Sequence, residues 1–419
     1  METNGSIAPK KTISPKGNLL RQIFESESPE KTIRLLPAQS LYLLTRQTGL
    51  SSCVEVLEAC SVSQLRTMLD FDLWDRDTLC EERLWEWLEL PEANEDLKIL
   101  RKVIQSIDLK LVALMIDRYV RVVSMEEPAD QAPGPYFYTP DRGYTWLHVT
   151  NEDSREHFLL QRLLAQIFEM DTELFYQLLN VPCLNTPSML EFDSYEERSK
   201  RLRSEGIPTE EEAFAYTTPI GINQMREELR RETSATTIDP DLNPVLPLIA
   251  SGSVPEPLKT AVESLGFDLS RQAALSFLLN NILVRFQVEV ADTESIKDYV
   301  ARALGAMNIG LERICNEENI TPQDAFTRLN FQYLFCFGFE SLKKLQEQAK
   351  LYRKKNDPTD PIVTATLDAA ASSFPVIPIF LNASAYPYKT KSSTDKLPAG
   401  EKPFEHLGEI GLVQQVLNL

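Results

Sequence analysis

Large apolar side chains recur three or four places apart through most of this chain, the spacing that gathers one helix face for burial. Leu41 and Leu44, Leu65 with Met68 and Leu69, Leu84 with Trp87 and Leu88, and Leu111 with Leu114 and Met115 repeat it across residues 36–123. Helix boundaries are written into the same stretch. Pro37 suits a first helical turn and Gly49 a stop. Ser61 and Gln64 have the spacing of a reciprocal N-terminal cap, and Asp108 caps the helix that follows it. The leading leucines (Leu41, Leu65, Leu84, Leu111) are unevenly separated, so a superhelical array and an irregular bundle both fit.

Residues 125–135, Met-Glu-Glu-Pro-Ala-Asp-Gln-Ala-Pro-Gly-Pro, hold too much proline to continue a helix. Aromatic and β-branched residues then flank Thr139-Pro-Asp-Arg-Gly143, which predicts a β-hairpin over 136–147, packed by one aromatic face on neighbouring helices. Helical spacing returns with Phe158, Leu159, Leu163 and Ile167, then Leu174, Phe175, Leu178 and Leu179, until Pro182 and Pro187 interrupt it. From Leu190 to the stop at Gly206, Glu196 and Glu197 precede Lys200 and Arg201 by four places, which predicts supporting ion pairs along an exposed helix.

Residues 231–247 have little periodicity and read as a linker. Beyond it, Leu275, Leu278, Leu279, Ile282 and Leu283 mark a largely buried helix, and Thr321-Pro322 opens another. Phe326, Leu329, Tyr333, Leu334, Phe337, Leu342 and Leu345 lead into Arg353-Lys354-Lys355, cations that complement the carbonyl end of a helix dipole. Prolines punctuate residues 357–403, which predicts a segment wrapping the surface before a short terminal helix carrying Leu407, Ile410, Val413 and Val416.

The fold predicted is mainly all-α: multi-helical, partly superhelical stacked helix pairs with one inserted β-hairpin. Its expected parts are a disordered N-terminus (1–18), a repeat-like stacked-helix region (19–125), a proline-rich loop and hairpin (126–150), a helical region (151–230), a linker (231–248), a C-terminal helical domain (249–356) and a wrapping tail (357–419).

Leu36-Pro37, Leu-Tyr-Leu-Leu at 41–44, Gly49-Leu50 and Met-Leu-Asp-Phe-Asp-Leu-Trp at 68–74 together resemble an uncharacterised bacterial family of helical proteins with no assigned function. The Tyr- and Arg-rich helix around Tyr195, followed by Thr209-Glu-Glu-Glu212, is similar to that family as well. The leucine rhythm of residues 36–123 is also similar to the armadillo-like cytosolic domain of a class of magnesium transporters. The first resemblance implies a helical fold and transfers no residue role; the second carries over no transport, because the transporter's membrane helices have no counterpart here.

Charge narrows the functions. A net charge of -19 repels phosphate, which argues against binding a nucleic-acid backbone. The longest apolar run, residues 273–284, contains Asn280 and Asn281 and stops at Arg285, too short and polar to insert in a membrane. Residues 1–18 lack the apolar core of a secretory signal, and the expected location is cytoplasmic. The six cysteines, Cys53 and Cys60 on an apolar helix side among them, form no Cys-x-x-Cys and read as reduced thiols acting as small hydrophobes.

Catalytic signatures are sparse. No Gly-x-Gly-x-x-Gly occurs, and Gly305 and Gly310 precede Leu311-Glu312 where a phosphate loop needs Lys and Ser or Thr. Ser341-Leu-Lys-Lys344 lacks the companion motifs of serine acyltransferases. His148, His157 and His406 show no i, i+4 pairing. The acidic constellation Asp70, Asp72, Asp75 and Asp77 supplies carboxylate oxygens of the kind that bind Mg²⁺ or Ca²⁺, but without the central glycine and closing glutamate of a calcium loop; helix capping is the commoner use of such aspartates.

Two functions follow. The first is a cytoplasmic helical scaffold or regulatory module that binds a protein partner, without catalysis, cofactor, nucleic acid or membrane insertion. The alternative is an enzyme or metal-responsive sensor that sets Asp70–Asp77 beside His148 or His157.

Overall fold

The computed structural model describes residues 23–24, 28–90, 97–150, 154–231, 254–265, 269–289, 292–356, 358–381 and 400–419. The expected disordered N-terminus, 1–18, and nearly all of the expected linker, 231–248, lie outside these. The described residues are mainly helical, with three two-stranded antiparallel sheets. They fall in two compact units, Met1–Leu202 and Arg203–Leu419.

The first unit contains α1 (Pro29–Leu35), α2 (Ala38–Thr48), α3 (Val54–Ala59), α4 (Val62–Asp72), α5 (Glu81–Glu89), α6 (Leu97–Ser106), α7 (Leu109–Tyr119), α8 (Arg155–Met170), α9 (Thr172–Leu184) and most of α10 (Pro187–Ser204). Their ends follow the capping signals. Ser61 Oγ accepts the Gln64 N–H at 3.1 Å while Gln64 Oε1 accepts the Ser61 N–H at 2.8 Å, and Gln64 Nε2 reaches on to the Leu36 carbonyl at 2.7 Å. One cap therefore also ties α4 to the chain leaving α1. Pro37 sits just ahead of α2, and Gly49 ends it with φ 99°, a left-handed conformation that glycine adopts without a Cβ clash. Helix α4 packs between α2 and α6, while α7 and α8 pack on α9. Leu41, Leu65, Met68, Trp87, Leu88 and Leu114 are all buried, the leucines and Met68 each stabilising the fold by about 1.5–3 kcal/mol relative to exposure.

The hairpin is built differently from its sequence pattern. Strand β4 (Thr145–Val149) pairs not with residues 136–138 but with β3 (Val120–Ser124), from Val120 opposite Val149 to Ser124 opposite Thr145. Tyr138 contributes only one bridge, exchanging bonds of 3.0 and 2.8 Å with Leu147. The helical spacing of α7 runs into Val120-Arg-Val-Val123, but β-branched residues favour extended backbone and end the helix at Tyr119. The turn at 139–143 does form. Thr139 Oγ1 accepts the Gly143 N–H at 2.8 Å, and Asp141 accepts the Thr145 N–H at 2.8 Å and the Tyr176 hydroxyl of α9 at 2.6 Å. A shorter hairpin, β1 (Trp74–Asp75) with β2 (Thr78–Leu79), follows α4.

The second unit holds α11 (Glu210–Tyr216), α12 (Ile222–Arg230), α13 (Leu258–Leu265), α14 (Leu269–Arg285), α15 (Thr293–Glu318), α16 (Pro322–Arg328), α17 (Phe331–Lys355), α18 (Pro361–Ala371) and α19 (Leu407–Leu417), with β5 (Val376–Pro378) paired to β6 (Glu401–Pro403). Thr321 caps α16 by accepting the Asp324 N–H at 3.1 Å, with Pro322 in its first turn, and Arg353-Lys354-Lys355 close α17 as the dipole argument predicts. Helices α15 and α17 cross closely because glycines line the crossing. A Cβ at Gly338 would lie 1.8 Å from the Ala306 carbonyl oxygen, and one at Gly310 2.0 Å from that of Leu334. Residues 361–381, expected to wrap the surface, instead supply core: Leu367, Phe374, Val376 and Ile377 are buried, and Phe374 stacks on Phe286 with centroids 4.8 Å apart. The prolines at 361 and 378 stand at element ends, where a missing N–H is tolerated.

The described cysteines, Cys53, Cys60, Cys80, Cys315 and Cys336, are free thiols, with Cys53, Cys60 and Cys336 buried. Among the described residues no helix is long and apolar enough to cross a membrane.

Candidate functional site

The acidic stretch ends α4, and helical geometry separates its members. Two residues apart on a helix, Asp70 and Asp72 leave it in different directions. Asp72 turns toward α2 and α5: its Oδ1 accepts the Tyr42 hydroxyl at 3.0 Å and Arg46 Nε at 2.6 Å, and its Oδ2 accepts Trp87 Nε1 at 2.6 Å and a second Arg46 donor. Arg46 extends to Glu86 at 3.3 Å. The Asp72 side chain is 1% exposed, and these donors supply the hydrogen bonds that its oxygens lose with water. Burial and the adjacent Asp72 carboxylate in turn hold the Tyr42 hydroxyl well above its ordinary value, fixing it as a donor.

Asp70 turns toward α10. Arg201 grips it with two parallel bonds, Nε to Oδ2 at 2.7 Å and Nη2 to Oδ1 at 2.8 Å, and also lies 3.5 Å from Asp108 Oδ2. Ser194 donates to the same Asp108 oxygen at 3.2 Å, while the other oxygen accepts the Lys110 N–H at 3.0 Å as the predicted cap. Arg198 donates to the Asp70 carbonyl at 2.6 Å and lies over the Trp74 and Tyr195 rings, 5.7 and 5.8 Å from their centroids. Burial pushes the Asp70 carboxyl above the usual carboxylate range, with Arg201 opposing it.

Asp75 and Asp77 stand exposed on the β1–β2 hairpin, on either side of Arg76 at φ 59°. Both inner carboxylates are thus committed to guanidinium groups. Among the described residues no group of three or more His, Cys, Asp or Glu is placed to hold a metal ion.

The histidines have neighbourhoods of their own. His157 is buried with Nδ1 3.1 Å from the Val149 carbonyl oxygen. His148 faces the Tyr136 and Phe137 rings, with centroids 6.3 and 5.2 Å away. His406 Nδ1 lies 2.7 Å from Glu312 Oε1, and Glu312 also accepts the Leu407 N–H at the start of α19. Ser341 accepts from Arg313 at 3.0 Å while Lys344 pairs with Glu340 at 2.5 Å, so each member of the Ser-x-x-Lys pattern is engaged by a different group.

The described residues include two concavities with mixed charge. One of about 460 Å³ in the first unit is lined by Phe24, Glu30, Ile33, Glu58, Lys98 and Lys102, where Lys102 donates to the Leu57 carbonyl at 3.1 Å. One of about 340 Å³ in the second unit lies among Arg313, Glu317, Glu340, Lys344, Leu407 and Ile410. Both hold carboxylates beside basic side chains.

What sequence reasoning missed lies on α9 and α10. Leu184, at the end of α9, is 82% exposed; Met189 and Phe192, on the first turns of α10, are 52% and 63% exposed. Helix α10 buries Leu190, Ser194 and Leu202, and that register turns Met189 and Phe192, three apart, outward. The mixed charge of residues 191–203 concealed it, because Arg198 and Arg201 there turn inward toward Asp70.

No curated protein and no solved structure matches the chain, and the likeness of residues 36–123 to the transporter domain finds no support among them. The match found is to a family and spans residues 13–419, nearly the whole length, as the resemblance in the leucine-rich and Arg-rich segments implied. The chain belongs to DUF6178, a family of unknown function.

Proposed function

We propose that this protein is a cytoplasmic interaction module, a scaffold or regulatory partner that binds another protein and carries out no chemistry of its own. The observation that supports this reading most is the exposed apolar corner of Leu184, Met189 and Phe192. Large side chains left in water as neighbours lose the stabilisation that burial brings and mark a contact surface. The distribution of polar groups points the same way. Asp70, Asp72 and His157, which a catalytic reading would use, are each held by internal bonds that position helices.

The test is photo-crosslinking in cells, with a photoreactive residue placed at Phe192 of the full chain or, as a reference, at the exposed Leu351 of the second unit. A discrete heavier adduct from position 192 and none from 351 is expected. Equal, diffuse labelling from both positions would overturn the reading.

A further inference from the structure

Helix α10 is balanced in sequence, with Glu191, Asp193, Glu196 and Glu197 against Arg198, Lys200, Arg201 and Arg203. The fold unbalances it. Arg198 and Arg201 are drawn beneath the helix onto Asp70, so their charge is spent inside. Glu191 pairs with Arg118 at 3.2 Å, and Glu197 has Lys110 at 3.5 Å. Asp193 and Glu196 stay exposed, and among the described residues neither has an ion-pair partner.

Their positions matter as much as their charge. Asp193 is four residues after Met189 and Glu196 four after Phe192, so each carboxylate lies one turn along the same strip from an exposed apolar side chain. The strip thus presents an apolar pair followed by an acidic pair, with the exposed Leu184 at the end of the preceding helix. A net charge of -19 adds a favourable field for any cation approaching it.

From this order of side chains we infer that the α9–α10 corner docks a basic amphipathic helix of a partner protein, whose apolar face covers Leu184, Met189 and Phe192 while its Lys or Arg residues one turn away pair with Asp193 and Glu196. The inference rests on the interaction reading above and names the partner's chemistry. Helix-in-groove recognition uses anchors at this spacing, and apolar anchors ringed by opposite charge give both affinity and register. The occupant is not a nucleic acid, since the same carboxylates repel phosphate.

The probe is a fluorescein-labelled synthetic amphipathic helix of Leu and Lys, about eighteen residues long, and its counterpart with Glu for Lys. Anisotropy titrations use the full chain at about 0.15 M salt, where charges beyond about 8 Å are screened. The wild-type chain should bind the Lys peptide about tenfold more tightly than the Glu peptide, and the double variant Met189→Asp/Phe192→Asp should lose about tenfold. The double variant Asp193→Lys/Glu196→Lys should reverse the preference toward the Glu peptide. All four positions are exposed, and far-UV circular dichroism verifies that the variants fold.

Equal binding of the Lys peptide by the wild type and both variants would mean attraction to net charge alone and would overturn the inference. So would a wild-type dimer in sedimentation that Phe192→Asp dissolves, since the corner would then be covered by a second copy. If crosslinking from position 192 succeeds while the Lys peptide shows no preference, the interaction reading stands and only the basic partner is lost.

Discussion

Asp70 and Arg201, 131 positions apart in sequence, meet in a two-bond carboxylate–guanidinium pair at 2.7 and 2.8 Å that fastens the last turn of α4 to α10. The Asp70 side chain is 7% exposed, so the pair works as a structural clamp with little solvent screening.

Removing one partner strands the other. Arg201→Met should destabilise the chain by about 3 kcal/mol, because a buried carboxylate is left without its cation. The double variant Asp70→Leu/Arg201→Met should recover most of that loss. Urea unfolding followed by circular dichroism measures both, and equal stability of the single and double variants would contradict the clamp.

The Asp72 site makes a sharper distinction between structure and chemistry. Asp72→Ala orphans Arg46, Tyr42 and Trp87 donors at once and should lower the melting temperature by several degrees. Mg²⁺, Mn²⁺ and Ca²⁺ should leave the melting temperature of the wild-type chain unchanged. A ligand that binds only the native state must raise it, so a rise that Asp72→Ala abolishes would instead make the acidic stretch a metal site.

How much of this was legible in the sequence depends on the range of the interaction. Local rules held: the Ser61–Gln64 cap, the Asp108 and Thr321 caps, and the basic end of α17 are each decided within one turn of helix. The helical fold followed from apolar periodicity alone. Long-range pairing was not readable. Arg201 stands four after Glu197, yet it takes the more buried Asp70, since a carboxylate away from water rewards a cation more than an exposed one does. Strand β4 likewise chose residues 120–124 over the nearby 136–138. The exposed corner on α9 and α10 was invisible for the same reason: its outward register depends on which arginines the core of the unit claims.

Alkaline pH should loosen the second unit. Burial pushes the Cys336 thiol from 9.0 up to about 12. Between those values the unfolded chain has released the proton while the folded chain retains it, so stability is full below pH 9 and is lost as pH rises toward 12. The slope approaches about 1.4 kcal/mol per pH unit for one group. Cys315 in the same unit, pushed up to about 11 by burial, acts in the same sense, as Cys60 does in the first unit. Urea midpoints at about pH 8 and about pH 10.5 should fall less in Cys336→Ala than in the wild type; identical falls would show that this thiol is not buried.

The glycine crossing of α15 and α17 should be intolerant. Gly338→Ala places a Cβ against the Ala306 carbonyl with no flexible side chain to move aside, and should cost about 3 kcal/mol or prevent folding. Gly411→Ala, inside α19 with nothing within 4 Å of the added carbon, should instead stabilise by about 0.5–1 kcal/mol through helix propensity. Equal effects of the two on urea unfolding would refute the close approach.

The most direct test of an interaction role is comparative retention from cytosol at low and moderate salt, using the immobilised full chain and the triple variant Leu184→Asp/Met189→Asp/Phe192→Asp. A defined protein held by the wild type at both salt concentrations and released by the variant is expected. Identical retained proteins on both columns would contradict it.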